Sequence, residues 1–232
     1  MTLADLAIGC FVYSAMTFDG GYEDFLQKTG PTLDLTQEQH RKSLLRFLNN
    51  WGCRQFAVAH HDQAAHQIEE WHNDFGGKLF PPATDLLSLT AADLSIVEAA
   101  YNGLVSRLAC KKKLKGRDEV GDVRFGPVGT AKIFFALRPN ALMPWDNAIL
   151  DALGLDGSAV SYRQHLLKTR DWLNQLSGEC QKHGFALADL PTKVGRPRST
   201  LPKLIDEYLW VTITNKCQLP TKETFERWAK WS

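Results

Sequence analysis

Two short runs carry the residue types that do chemistry. Gly126-Pro-Val-Gly129-Thr-Ala-Lys132 reads as a tight glycine turn opening a helix, and Pro144-Trp145-Asp146-Asn147 sets a carboxylate at the start of the next one. A glycine turn feeding a helix N-terminus presents unpaired backbone N–H groups, which suit a phosphate. An aspartate just beyond it could stabilise positive charge developing on a sugar. A phosphate grip beside a carboxylate points to chemistry on a nucleotide. Each run also has an ordinary structural role, because G-x-x-G before a helix is common turn chemistry and Asp beside Pro-Trp is a good N-cap. The informative feature is their succession across a single apolar helix containing Ile133, Phe134 and Leu137.

Helical periodicity dominates the elements that must position these runs. Leu3 to Met16 reads as a buried helix, with a strand as the alternative around Phe11-Val12-Tyr13, and Asp19-Gly20-Gly21 breaks it. Thr36 and Gln39 resemble a capping box. Leu44, Leu45, Phe47, Leu48 and Trp51 form the apolar stripe of the helix that follows, which Gly52 ends. A polar helix is expected from about Asp62 to His72. Thr90 caps another through Asp93, its buried face running from Leu94 to Leu108. A short helix over about Asp118 to Arg124, with Val120 and Val123 inward, leads into Gly126. Later helices are expected over Trp145 to Leu153, Ser161 to Cys180, Leu201 to Lys216 and Thr221 to Trp231, with a strand as the alternative at Val211-Thr-Ile-Thr214. The fold class is all-α.

Composition narrows the setting. The 232 residues suffice for one substantial core or for two lobes sharing a cleft. A net charge of +1 argues against a uniformly basic nucleic-acid coat and leaves room for a local basic patch. Five scattered cysteines (Cys10, Cys53, Cys110, Cys180 and Cys217) form no C-x-x-C pair and read as free thiols in a reducing cytosol. The N-terminus lacks the pattern of a signal peptide and no apolar run approaches a membrane span, so a cytoplasmic protein is expected.

The runs together resemble the helix-hairpin-helix superfamily of base-excision DNA glycosylases. The resemblance covers roughly residues 116–154: a short helix, Phe125-Gly126-Pro127-Val128-Gly129, a helix, then Pro-Trp-Asp. Val128 and Gly129 match the last two hairpin positions, and Asp146 matches the catalytic aspartate. The resemblance implies two helical lobes around a cleft, about 35–145 bearing the hairpin and 1–34 with 146–232 forming the other. It implies a DNA N-glycosylase that flips a damaged or modified base out of the stack, in DNA repair or in defence against phage with modified DNA. Asp146 would stabilise the sugar cation and position water. No cofactor or metal is implied, and the partner is double-stranded DNA bound by a monomer. Three departures stand out. The position of the strand-cleaving lysine, two places after the last hairpin glycine, is Ala131, and Lys132 lies one further on, about 100° around the helix. That points to a monofunctional hydrolase leaving an abasic site. The hairpin-to-aspartate spacing is a few residues short, so Arg138-Pro139-Asn140 must connect tightly, and Pro127 replaces the first hairpin glycine.

The remaining candidates surround this centre. Gly126, Val128, Gly129, Thr130 and Lys132 would contact phosphate, with Lys132 also a candidate for contact with Asp146. Lys111, Lys112, Lys113, Lys115 and Arg117, with Arg124, would extend that contact along the backbone. A second cluster, Lys193, Arg196 and Arg198, slightly resembles a minor-groove hook. Trp145, Tyr22 and Phe18 would line a base pocket, while Trp51, Trp71 and Trp172 suit packing. Asp62, His66 and Glu69 or Glu70 share one helical face but match no zinc signature. His165 and His183 carry no signal. Two competing functions are a non-catalytic DNA clamp using the hairpin, and a protein-interaction module of a defence or toxin system docking through Trp228 and Trp231.

Overall fold

The structure, a computed structural model, describes residues 1–17, 19–30, 32–53, 56, 58–113, 120–221, 223–224 and 227, and among these it has ten α-helices, a few short 3-10 and π-helical turns and one two-stranded sheet. Phe18, Lys115, Arg117, Trp228 and Trp231 lie outside the described residues, as does most of the helix expected over 221–231. The first helix, α1, spans Leu3–Met16 and excludes the strand alternative there. Helix α1 ends before Asp19-Gly20-Gly21 as expected, and the two glycines open α2 (Gly20–Thr29). Gly21 lets this helix start lie against Asn50, whose Cβ would sit 3.0 Å from an added side chain.

Helix α3 (Glu38–Asn50) begins after Gln37 without a side-chain cap, so Thr36 is not its capping residue. Asp34 captures the Thr36 hydroxyl at 2.6 Å and its N–H at 3.0 Å, forming a local turn that competes with the cap. Helix α4 covers His61–Phe75 and α5 covers Ala91–Val105. Thr90 and Asp93 form the expected reciprocal capping box, with Thr90 N–H donating to the Asp93 carboxylate at 2.8 Å.

A β-hairpin replaces the short helix expected before Gly126. Strand β1 (Leu108–Lys113) pairs antiparallel with β2 (Val120–Arg124), setting Lys111 opposite Asp122 and Cys110 opposite Val123. A three-residue spacing of Val120 and Val123 suits one helical face, but in a strand it sends the two to opposite sides. Val120 is accordingly 66% exposed while Val123 is buried. The chain then enters α6 (Gly126–Leu137) directly from a strand.

Helix α7 spans Asn147–Leu153, α8 Ala159–Lys182, α9 Leu190–Lys193 and α10 Leu201–Leu209. The last continues as a π-helical turn over Trp210–Thr214, where a strand was the alternative. Helix α1 packs along α10, α2 on α3, α3 on α4, and α5 against both α6 and α8, while α7 meets the π-helical turn. Their apolar faces join in one continuous core that includes Trp71, Tyr101, Phe134, Trp145 and Tyr162. All five cysteines are unpaired thiols. Among the described residues no helix is long and apolar enough to cross a membrane.

Candidate active site

Five chain segments distant in sequence border one cleft of about 880 Å³. Arg124 to Gly129 and Lys132 form one side, and Trp145 to Asn147 lie beside them. Tyr13, Thr17, Asp19 and Gly21, Asn50 to Cys53, and Asp206 and Trp210 complete the lining.

The turn from β2 into α6 owes its shape to two glycines. Gly126 adopts φ +68°, a left-handed conformation that costs a residue with a Cβ and costs glycine little. Gly157 lies under Pro127, where an added Cβ would come within 2.8 Å of the proline ring. The proline that replaces the first hairpin glycine is therefore seated against the loop before α8. No side chain caps α6. The Phe125 N–H is taken by the Arg107 carbonyl at 3.2 Å, and Pro127 has no N–H. The Gly126 and Val128 amides remain as the uncapped first-turn donors at the cleft, where the helix dipole favours an anion.

Asp146 is the N-cap of α7. Its Oδ1 accepts from Ile149 N–H at 2.9 Å, and its Oδ2 accepts from the Thr214 hydroxyl at 2.7 Å. It also lines the cleft and is partly exposed, so the cap fixes a carboxylate that solvent and ligand reach. The π-helical turn brings Thr214 to that carboxylate and Trp210 to the cleft. The short connection is the tight turn expected at Arg138-Pro139-Asn140. The Arg138 carbonyl accepts from Ala141 and Leu142 N–H, and its guanidinium donates to Phe80 O at 2.7 Å.

Several predicted residues turn inward. Trp145 is buried, with its ring among Tyr101, Tyr162 and His165 and its Nε1 donating to Pro127 O at 3.0 Å. It lines the cleft beside Asp146 as expected, though its ring packs inward and its Nε1 ties the Asp146 turn to Pro127. Tyr22 packs among Phe25, Phe47, Trp51 and Phe135 behind the cleft lining. Burial pushes its hydroxyl pKa up to about 12. Thr130 is fully buried, so it cannot touch a phosphate at the surface.

Lys132 differs in another way. The one-residue shift does not carry it out of the cleft: it lines the cleft nearly buried, while Ala131 packs in the core. Its ammonium donates to the Trp51 carbonyl and lies 5.9 Å from the Trp51 ring centroid. Lys111, Lys112 and Lys113 stand on β1 rather than in a loop, with Lys111 3.8 Å from Asp122. Arg124, at the end of β2, is the member of that cluster that lines the cleft. Arg196 turns inward to Glu207 at 2.7 Å and is unavailable as a groove hook. His66 pairs with Glu69 and Glu70, and no metal-holding group of three or more His, Cys, Asp or Glu occurs among the described residues.

The wall opposite the hairpin was not legible as a site. Lys203, 1% exposed, lies 3.3 Å from Asp19 and 3.5 Å from both Asp206 and Glu207. It donates to the Tyr13 hydroxyl at 3.1 Å, which in turn donates to Asp19 at 3.1 Å. Trp51 Nε1 donates to the other Asp19 oxygen at 3.3 Å. Burial alone would push the Lys203 pKa down, but Asp206, Tyr13, Asp19 and Glu207 outweigh it and hold the ammonium charged. The i, i+3 and i, i+4 spacing of Lys203, Asp206 and Glu207 was the available local signal. It matches the spacing of an ordinary exposed helix pair. No protein-family model, curated protein or solved structure matches this chain.

Proposed function

We propose that the cleft is the active site of a DNA N-glycosylase, which flips a damaged or modified base from duplex DNA and hydrolyses its glycosidic bond. The observation that carries this reading is the sharing of one 880 Å³ cleft by the uncapped α6 amides, the capped Asp146 carboxylate and Lys132. Breaking the bond builds positive charge on the deoxyribose, which a nearby carboxylate stabilises. Thr214 and the Ile149 N–H hold that carboxylate in place before substrate arrives. The Gly126 and Val128 amides would take a backbone phosphate and fix register without reading sequence. Flipping costs a few kcal/mol, which pocket contacts offset. In this reading the chain divides into helical lobes of about 35–145 and 1–34 with 146–232. The packing of α1 on α10 and of α7 on the π-helical turn is in keeping with that division, while α2 packs on α3 and α8 on α5 across it.

The test is incubation of the protein with duplexes carrying damaged or modified bases, read on gels with and without alkali beside Asp146→Asn. Asparagine keeps the N-cap, so the variant should fold and bind duplex while base release falls by about 10²–10⁴-fold. Alkali-dependent breaks lost in that variant are the expected result. Undiminished release by Asp146→Asn would overturn the mechanism, and duplex binding without breaks would favour the clamp reading. The placement of Lys132 in the cleft favours one specific variation, a Schiff base on the abasic sugar. Alkali-independent breaks that are trapped by borohydride and lost in Lys132→Gln would establish it.

A further inference from the structure

The wall opposite Asp146 holds more acid than base. Asp19, Asp206 and Glu207 surround Lys203, and Arg196 supplies the second cation through Glu207. Lys132 and Asp146, whose charges reach Asp206, add one of each sign and leave the excess unchanged. A buried set with one carboxylate too many relieves itself by keeping a proton.

The hydrogen bonds decide which carboxyl keeps it. Asp19 accepts from the Tyr13 hydroxyl on one oxygen and from Trp51 Nε1 on the other. Glu207 accepts from Arg196 at 2.7 Å and from the Ser199 hydroxyl at 3.5 Å. Among the described residues Asp206 has the 3.5 Å pair with Lys203 and no side-chain hydrogen bond. Glu207, whose other oxygen is buried without a hydrogen-bond partner, does not line the cleft, and of the two cluster carboxyls that do, Asp206 sacrifices least on protonation. Asp206 also faces the cleft, 14% exposed, one helical turn before the half-buried Trp210.

We propose that Asp206 is the general acid of this site, handing its proton to the departing base while Asp146 orients the attacking water. This rests on the glycosylase reading. As the C1′–N bond breaks, its electron pair goes to the base, which takes the Asp206 proton. Water oxygen bonds to C1′ and its proton passes to Asp146, which releases it to solvent while solvent returns a proton to Asp206. Burial, reinforced by Glu207 and Asp146 and opposed by Lys203 and Lys132, pushes the Asp206 pKa up to about 6. Asp19, Tyr13 and Arg196, with the Cys10 thiol beside Glu207 and the Tyr22 hydroxyl near Lys203 and Asp19, are the other charged and titratable groups of the cluster.

The test is single-turnover base release between pH 5 and 9 from duplex oligonucleotides carrying uracil, hypoxanthine, 8-oxoguanine or 5-hydroxymethylcytosine. Wild type, Asp206→Asn, Asp206→Glu and Asp146→Asn are compared, each checked for folding by circular dichroism. Wild-type release should fall as pH rises through about 6, because the protonated acid is lost. Asp206→Asn should be slower by about 10²-fold at pH 5.5 and lose that limb. Asp206→Glu should keep a limb at a shifted pH, an effect that a merely structural role would not produce. A folded Asp206→Asn with wild-type rate and profile overturns the proposal while loss of release in Asp146→Asn keeps the glycosylase reading. Should Asp206→Asn fail to fold, an Asp206→Glu profile identical to wild type overturns it instead. No release by wild type from any of the duplexes overturns both.

Discussion

The two walls of the cleft are built from opposite materials. Behind Asp146 the packing is aromatic and uncharged: Trp145 meets Tyr162 at 5.1 Å and His165 at 5.5 Å, and Tyr101 stacks on Tyr162 at 4.7 Å. The Trp145, Tyr101 and Tyr162 tips end on backbone carbonyls, Trp145 and Tyr101 on Pro127, Tyr101 also on Gly157, and Tyr162 on Met143. Around Lys203 the wall is a buried ion cluster joined by side chains. The first kind of wall fixes where backbone goes and is indifferent to pH over most of its range. The second holds charge in low dielectric, where every partner is needed and a proton changes the balance.

Breaking the charged wall should cost most. Lys203→Met leaves Asp19, Asp206 and Glu207 without their shared cation and should destabilise by about 3–5 kcal/mol at neutral pH. Urea denaturation should show that loss shrinking as the carboxylates protonate in acid. An equal loss at pH 7.5 and pH 4.5 would mean that packing, not charge, is what Lys203 supplies.

The pH response sharpens the contrast, because one titrating group on each wall pulls in the opposite direction. Burial lowers the His165 pKa to about 4, so its contribution is present above the usual histidine value and lost as pH falls through about 4. Asp206 is raised to about 6, so its contribution is full below the usual carboxylate value and lost as pH rises through about 6. His165→Phe should therefore remove a loss on the order of 3 kcal/mol between pH 6.5 and 4. Parallel melting curves of variant and wild type across that range would refute it.

The smallest effect is expected from trimming the neutral wall. Trp145→Phe removes the Nε1 donor to Pro127 O, but Tyr101 still donates to that carbonyl at 3.3 Å. The cost should be about 1 kcal/mol in urea denaturation, with duplex affinity reduced because the hairpin is held by one donor instead of two. A loss as large as that of Lys203→Met would erase the distinction between the walls.

Much of the helical framework was legible because its signals are local. The Thr90–Asp93 box lies within one helical turn, and the apolar stripe of Leu44, Leu45 and Leu48 fits one helical face. Where local rules competed, the reading failed: Asp34 took the Thr36 hydroxyl, and valines three apart proved compatible with a strand. At the site, the hairpin amides, Asp146 and Lys132 share a cleft as the chain order suggested, while Thr130, Tyr22 and Trp145 turned inward. Side-chain direction at those three positions depends on what packs against them.

The sequence by itself determined the helical character, the glycine turn at Gly126 and the N-cap at Asp146, because helix periodicity, positive φ and capping act over a few residues. Only the tertiary structure decided that Tyr13, Asp19 and Trp51 join one cleft with Asp146 and meet the buried Lys203 behind it. A lysine and an aspartate 184 positions apart carry no local signature of their pairing. Burial turned that pairing from an ordinary surface contact into a wall whose charges must balance, and burial is a property of the packed molecule.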